Sequence, residues 1–221
     1  MSILGKSRPD NVYQMRTINH VRNSEIEIKI TVIGESSVGK SSLSNRIAHD
    51  KFKTDTESTI GASFWSFRCT EDGTSYAFKM WDTAGQERFD ALVPMYLKGS
   101  HIVLMVFDIT NLISFEKIKE KWYKRAIEQA PNSTILLLGN KADLDNKQVL
   151  SQNINEFIEK TGIRYIECSA KDGEGMDILA KMFLEIVALL KPKTPDSVKL
   201  SEKKTDNNTG GCFDGIRCYP F

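Results

Sequence analysis

Hydrophobic and polar positions alternate along this chain in segments of different period. Residues 26–33 (Ile-Glu-Ile-Lys-Ile-Thr-Val-Ile) alternate β-branched and polar positions, the pattern of a half-buried strand. Residues 42–48 continue as a helix. Residues 50–61 are polar and carry no clear period, which predicts a loop of about a dozen residues, a length often tied to function. Residues 64–69 and 75–81 are strand-like, and Glu71-Asp72-Gly73-Thr74 between them is a turn signal, so they pair as a hairpin. Residues 90–98 predict a short, irregular helix disturbed by Pro94. Residues 101–107 and 134–138 are continuous apolar runs, suited to strands buried on both faces of a parallel sheet. Between them Ser114 is placed to cap a helix that reaches about Gln129, with Phe115, Ile118, Trp122 and Ile127 at helical spacing. A helix near 151–160, a strand at 164–168 and a last helix near 176–190 complete the pattern. That last helix puts Ile178, Leu179, Met182, Phe183, Ile186 and Leu189 on one face.

Strands alternating with helices predict an α/β fold: a mostly parallel sheet with helices on both faces. Residues 26–190 form the single domain. Residues 1–25 are polar and irregular and read as a flexible arm. Residues 191–221 open on Lys191-Pro192-Lys193-Thr194-Pro195, continue in Ser, Lys, Asp, Asn, Thr and Gly, and read as a flexible tail. Composition refines this little. Hydrophobic residues make up 40 % and charged ones 27 %, ordinary for a soluble globular chain. A net charge of +1 gives no global bias toward nucleic acid. Cysteines 69, 168, 212 and 218 show neither close metal spacing nor a disulfide framework, and histidines 20, 49 and 101 are scattered. The N-terminus lacks the apolar core of a signal peptide, and no run of about 18 apolar residues exists to span a membrane, so a cytosolic chain is expected. Ser2 in place of glycine argues against N-myristoylation.

Candidate chemistry falls where predicted strands end. Residues 34–41 read Gly-Glu-Ser-Ser-Val-Gly-Lys-Ser, a G-x-x-x-x-G-K-S pattern between a strand and a helix. Gly34 and Gly39 allow backbone angles that residues with a Cβ avoid. The loop's N–H groups can then surround a phosphate, helped by the positive helix end. Lys40 supplies a cation for the outer phosphates and Ser41 a hydroxyl for Mg²⁺. Asp82, ending a strand shortly before Gly85, offers a second phosphate and metal edge. Asn140-Lys141-x-Asp143 adds the base: a carboxylate can accept two N–H bonds from the Watson–Crick edge of guanine, whereas adenine would leave Asp143 partly unpaired. Asn140 and the Lys141 stem would brace one ring face, and Phe52 the other. Ser169 would steady the loop, and the Ala170 N–H would reach the guanine carbonyl. Read in isolation, Asn140–Asp143 is equally a strand-end turn with a solvated carboxylate. In sheets of this kind ligands bind at the carboxyl ends of strands, and every one of these motifs falls there.

Together these residues resemble the Ras-like small GTPases over 27–190, about three quarters of the chain. The set of residues 34–41, Thr59, Asp82-x-x-Gly85-Gln86, Asn140-Lys141-x-Asp143 and Ser169-Ala170-Lys171 is complete and in order. Ile60-Gly61, the run 81–89 and Tyr96-x-x-Gly99 look like the Rab branch. Residues 58–64 and Pro94-Met95-Tyr96 are similar to its early-endosomal subgroup. The resemblance implies a P-loop fold with six strands, one of them an antiparallel edge strand. It implies a nucleotide site of Gly34, Glu35, Ser36, Ser37, Val38, Gly39, Lys40, Ser41, Ser42, Phe52, Thr59, Gly85, Asn140, Lys141, Asp143, Ser169, Ala170 and Lys171. Ser41, Thr59 and Asp82 would hold Mg²⁺, and Gln86 would be the catalytic residue that orients water for slow hydrolysis of GTP to GDP. The loops 50–63 and 83–98 would respond to the γ-phosphate and meet an exchange factor, an activating protein and effectors. Phe64, Trp81 and Tyr96 match the family's aromatic triad, read by effectors. No arginine is clearly placed as a cis finger.

The chain also departs from that pattern. Ser37 stands where the subgroup usually has alanine, and Cys168 where threonine is usual. Cys212 and Cys218 have five residues between them, although Cys218 stands fourth from the end, where a prenyl transferase reads. Lipidation of Cys212 and Cys218 would anchor the chain on the cytoplasmic face of endosomal membranes in vesicle traffic, with no nucleic-acid partner. Two other functions compete. A scaffold that holds GTP permanently conflicts with Gln86 and Thr59. A P-loop kinase or ATPase would need an acceptor site or lid arginines, which the sequence does not show.

Overall fold

The computed structural model describes residues 25–53, 58–71 and 73–190, together with the backbone of 219–220. Seven strands form one sheet: β1 (Ile26–Ile33), β2 (Ala62–Glu71), β3 (Thr74–Thr83), β4 (Ile102–Asp108), β5 (Thr134–Asn140), β6 (Arg164–Glu167) and β7 (Tyr219–Pro220). Their order is β6-β5-β4-β1-β3-β2-β7. The first six strands are the predicted sheet. β1, β3, β4, β5 and β6 run parallel, and β2 pairs antiparallel with β3 through the hairpin. The sequence predicts only tail at 219–220, yet Tyr219 and Pro220 pair with Arg68 and Phe67 of β2. Proline lacks an N–H, and an outermost position is where a strand tolerates that. Residues 1–24 of the predicted arm (1–25) and the rest of the tail, with Cys212 and Cys218, lie outside the described residues.

Six α-helices flank the sheet: α1 (Lys40–His49), α2 (Val93–Leu97), α3 (Leu112–Lys117), α4 (Tyr123–Gln129), α5 (Ser151–Thr161) and α6 (Met176–Leu190). β4 shows why its sequence is apolar throughout. Ile102, Leu104 and Val106 face a core that also takes Leu43 of α1 and Phe183 of α6. Val103, Met105 and Phe107 face a second core with Phe115, Trp122 and Phe157 from the helices opposite. A strand between two helical layers has no solvent face. None of the described helices is long and apolar enough to cross a membrane.

Three helix details differ from the sequence reading. Asn111, not Ser114, caps α3: its Oδ1 accepts the Ser114 N–H at 3.2 Å, while the buried Ser114 hydroxyl donates to the Asn111 carbonyl at 2.7 Å. Between α3 and α4 the helix widens into a π turn, Ile118–Trp122. The buried positions are then Ile118, Trp122 and Ala126, and Ile127 is left exposed. On α6 the buried residues are Leu179, Phe183, Ile186 and Val187, while Ile178 and Leu189 face solvent. An apolar residue on a surface helix face is common, so hydrophobicity alone over-counts the buried stripe. The irregular segment after Gln86 is a 3-10 helix (Glu87–Leu92) running into α2. Pro94 sits in the first turn of α2, where its missing N–H costs nothing.

Candidate functional site

Strand register gathers the polar motifs. Val32 of β1 pairs with Asp82 of β3, and Ile33 with Met105 of β4. Asp108 pairs with Asn140, and Gly139 with Glu167. The loops beginning at Gly34, Ala84, Ile109, Lys141 and Cys168 therefore leave one edge of the sheet.

Residues 34–39 form the loop between β1 and α1, the P-loop of the sequence pattern. Gly39 has φ +91°, and a Cβ there would collide with the Asn140 side-chain amide. Its αL geometry starts α1, whose first turn has no side-chain cap and no acidic residue. The N–H groups of that turn need an acceptor, which is the physical basis of anion binding at a helix start. Gly85 packs so closely on the Glu35 backbone and the Lys40 ammonium that no Cβ would fit. The Lys40 ammonium donates to the Glu35 carbonyl at 2.6 Å. Burial pushes Lys40 down to about 8. The negative charges of Asp82 and Glu35 oppose that shift, and Lys121 adds to it.

Ser41 lies between two further oxygens. Its Oγ donates to Asp82 Oδ2 at 2.5 Å and is 2.8 Å from Thr59 Oγ1. Asp82 is fully buried, and its Oδ1 has no hydrogen-bond partner among the described residues. Burial raises this carboxyl to about 6, against the Ser41 hydrogen bond and the Lys40 charge that lower it. Two hydroxyls and a carboxylate are hard oxygen donors of the kind Mg²⁺ takes, and the unpartnered Oδ1 leaves coordinating capacity. The residues fit the ion. No group of three His, Cys, Asp or Glu able to hold a metal occurs among the described residues.

The cleft over this centre is lined by Ser36, Ser37, Gly39, Lys40, Ser41, Ser42, Thr59, Gly85 and Gln86. A second cleft of about 290 Å³ adjoins it, lined by Phe52, Asn140, Lys141, Asp143, Ala170 and Lys171 and sharing Ser37, Gly39 and Ser42 with the first. Several bonds brace the second cleft. The Asn140 Nδ2 donates to the Val38 carbonyl at 2.8 Å, tying the two loops together. Ser169 Oγ donates to Asp143 Oδ1 at 2.8 Å, and the Lys171 ammonium stands 3.3 Å from Asp143 Oδ2. The Lys141 ammonium pairs with Asp108 at 2.6 Å. The Ala170 N–H donates to Asn140 Oδ1 at 3.1 Å, where the sequence reading aims it at a guanine carbonyl.

Phe64, Trp81 and Tyr96 stack in series, with ring centroids 5.0 Å and 5.5 Å apart. Phe64 is 50 % exposed. Sequence reasoning missed several supports. Arg46 donates to the carbonyls of Ala170 at 2.9 Å and Lys171 at 2.6 Å, holding the 169–171 loop from α1. Glu35, Asp90, Lys121, Trp122 and Arg125 form a cluster beside the P-loop. No periodicity signals such pairs, because their partners lie between 31 (Asp90 to Lys121) and 125 (Arg46 to Lys171) positions apart.

A model of the Ras family matches residues 29–191 of the chain. The chain is 36 % identical to GTP-binding protein YPT53 of Saccharomyces cerevisiae, over 85 % of this chain and 94 % of that protein. It is 37 % identical to Ras-related protein RABF2b of Arabidopsis thaliana, over 85 % and 88 %. It is 39 % identical to Ras-related protein Rab-5A of Dictyostelium discoideum, over 78 % and 85 %. With a P-loop, a hard-oxygen centre and a second cleft at one sheet edge, the chain belongs to the Ras family as a GTPase of the Rab type.

Proposed function

We propose that this protein is a GTP-driven switch in vesicle traffic, with residues 34–42 cradling the phosphates and Asp143 selecting guanine. One observation carries the reading: the two clefts share Ser37, Gly39 and Ser42, so a single nucleoside triphosphate can lie across both. Lys40 provides charge at the outer phosphates, and the open turn of α1 provides N–H donors. Asp143, steadied by Ser169, accepts from the guanine edge, with Phe52 and the Lys141 stem on the ring faces. Ser41, Thr59 and Asp82 would hold Mg²⁺, which when bound neutralises charge on the β- and γ-phosphate oxygens. Gln86 orients the attacking water. Thr59 and Gly85 contact the γ-phosphate, so residues 58–63 and 83–98 change when it leaves.

The same segments flank the Phe64–Trp81–Tyr96 stack, whose exposed edge suits an effector. Exchange and activating proteins act on those segments. The likeness at residues 58–64 to the early-endosomal subgroup supports an endosomal membrane, and Cys212 and Cys218 are the candidate sites of its lipid anchor. Turnover of GTP by the full chain with Mg²⁺ tests the reading. Wild type turns over slowly and faster with an activating protein, while Gln86→Leu binds GTP normally and loses about 90 % or more of the rate. Equal rates in the two would remove Gln86 from the mechanism.

A further inference from the structure

The rod formed by α3, the π turn and α4 reaches the nucleotide site at one place. In an α-helix neighbouring residues point about 100° apart, so one helix rarely offers two of them to one site. The π turn widens the helix at Ile118–Trp122 and ends on Lys121 and Trp122, both directed at the P-loop. Trp122 is fully buried, and its Nε1 donates to Glu35 Oε1 at 2.9 Å. The Lys121 ammonium lies 3.7 Å from that same Oε1 and 2.8 Å from Asp90 Oδ2. Arg125, one turn on, donates to Asp90 Oδ2 at 3.1 Å. Both cations lie over the Trp122 ring, at 4.4 and 5.4 Å from its centroid.

One carboxylate belongs to the loop on which Gly85 packs, and the other to the helix that follows Gln86. Glu35 is the second residue of the P-loop, and its backbone is the surface on which Gly85 packs. Asp90 lies in the 3-10 helix that starts right after Gln86. Burial alone would raise the Asp90 carboxyl, but hydrogen bonds and charge from Lys121 and Arg125 outweigh it and hold it below its ordinary range. The cluster also has spare bonding capacity: Asp90 Oδ1 and Arg125 Nη1 have no hydrogen-bond partner among the described residues. A single ammonium shared by two carboxylates can trade the longer contact for the shorter one with little movement.

We propose that Lys121 and Trp122 are positioning residues for GTP hydrolysis, a latch that ties Glu35 of the P-loop to Asp90 and so fixes Gln86 over the phosphate cleft. The inference rests on the GTPase role given to Gln86. Without the Lys121 charge, Glu35 and Asp90 lose their shared counterion, and the 3-10 helix is freed from the P-loop. The phosphate contacts of Lys40 and the α1 turn remain. Hydrolysis then suffers more than binding.

The test uses the full chain with Mg²⁺ and GTP, comparing wild type with Lys121→Met, Lys121→Arg, Trp122→Phe and the exposed control Lys124→Met. Lys121→Met slows single-turnover hydrolysis about tenfold while GTP affinity stays within about twofold. Lys121→Arg restores most of the rate. Trp122→Phe keeps the ring, loses the donor, and slows hydrolysis about threefold. Adding Asp90→Asn to Lys121→Met slows it no further, because the pair acts as a unit. Amide exchange over residues 87–92 is the second readout and needs no turnover: it rises at least about threefold in Lys121→Met. A Lys121→Met rate within about twofold of Lys124→Met, or exchange unchanged over 87–92, would overturn the latch. So would an equal fall in rate, affinity and melting temperature, which marks a structural role. A wild type that hydrolyses no GTP contradicts the Gln86 role instead, and the exchange readout still judges the latch.

Discussion

Asp82 is held where its own charge is disfavoured. Its carboxyl titrates at about 6 in the fold against 3.8 in the open chain, because burial penalises the anion more than Ser41 and Lys40 relieve it. The sign follows from linkage. Below about pH 4 the group is protonated in both states and costs nothing. As pH rises to about 6 the folded state must give up a proton it holds more tightly than the unfolded chain, and stability falls. A shift of about two units is worth on the order of 3 kcal/mol. Asp82→Asn therefore stabilises the protein without nucleotide or Mg²⁺ at pH 7 by about 1–3 kcal/mol, and flattens the decline between pH 4 and 6. The same variant weakens Mg²⁺-dependent nucleotide binding. Urea unfolding at pH 4.5 and 7 in a chelator checks the first effect, and a destabilised variant at pH 7 would refute it. Asp82 and Ser41 were legible in the sequence because each sits in a motif whose chemistry needs that residue type, and Thr59 only through the family resemblance. The bond from the Ala170 N–H to Asn140 was not, since it forms only once β5 and β6 bring the two loops together. Arg46 was hidden for the same reason: its partners lie 124 and 125 residues away.

Among the elements, the β2–β3 hairpin and the α3–α4 rod make the contrast clear. The hairpin was readable from alternation and a turn signal, and its register puts Phe64 directly opposite Trp81. Both then stand on one face, and Tyr96 of α2 completes the stack. Phe64 is half exposed and contributes little to the core. Phe64→Ala should keep GTP turnover within about twofold and cost about 1 kcal/mol or less of stability. It should nevertheless reduce capture of partners by the GTP-locked Gln86→Leu form. Pull-down from the protein's own cells, with and without the substitution, reads this directly; unchanged capture removes Phe64 from the effector face. The rod was readable only as a helix. Apolar spacing of 3 and 4 fits Phe115, Ile118 and Trp122, but a π turn changes the phase after it, and no residue type announces one. Ile127 was therefore assigned to the buried face that Ala126 occupies. The Asn111 cap was missed because Ser114, three residues on, is an equally good capping type and is used differently: it bonds the ends of the loop between β4 and α3.

Across the whole molecule, the sheet sorts function from support. Apolar β4 and β5 separate two cores, and their polar ends at Asp108 and Asn140 reach the site. That arrangement was legible because fully buried strands and polar strand ends are both compositional signals. The pairing of Tyr219–Pro220 with β2 was not, since two residues carry no period and proline argues against a strand. Asp82 and Asn140 stand at the ends of sheet strands and Lys40 and Ser41 open α1, while Thr59 and Gln86 lie in connecting segments. On the proposed reading, fixed groups bind the nucleotide and connecting segments report its γ-phosphate. Hydrogen exchange of the full chain tests it, with Mg²⁺-GDP in one sample and Mg²⁺ with a non-hydrolysable GTP analogue in the other. The account predicts slower exchange with the analogue at residues 58–63 and 83–98, and no difference across β4, β5 and α6. Identical exchange in those two segments, or a difference spread over the sheet, would contradict it.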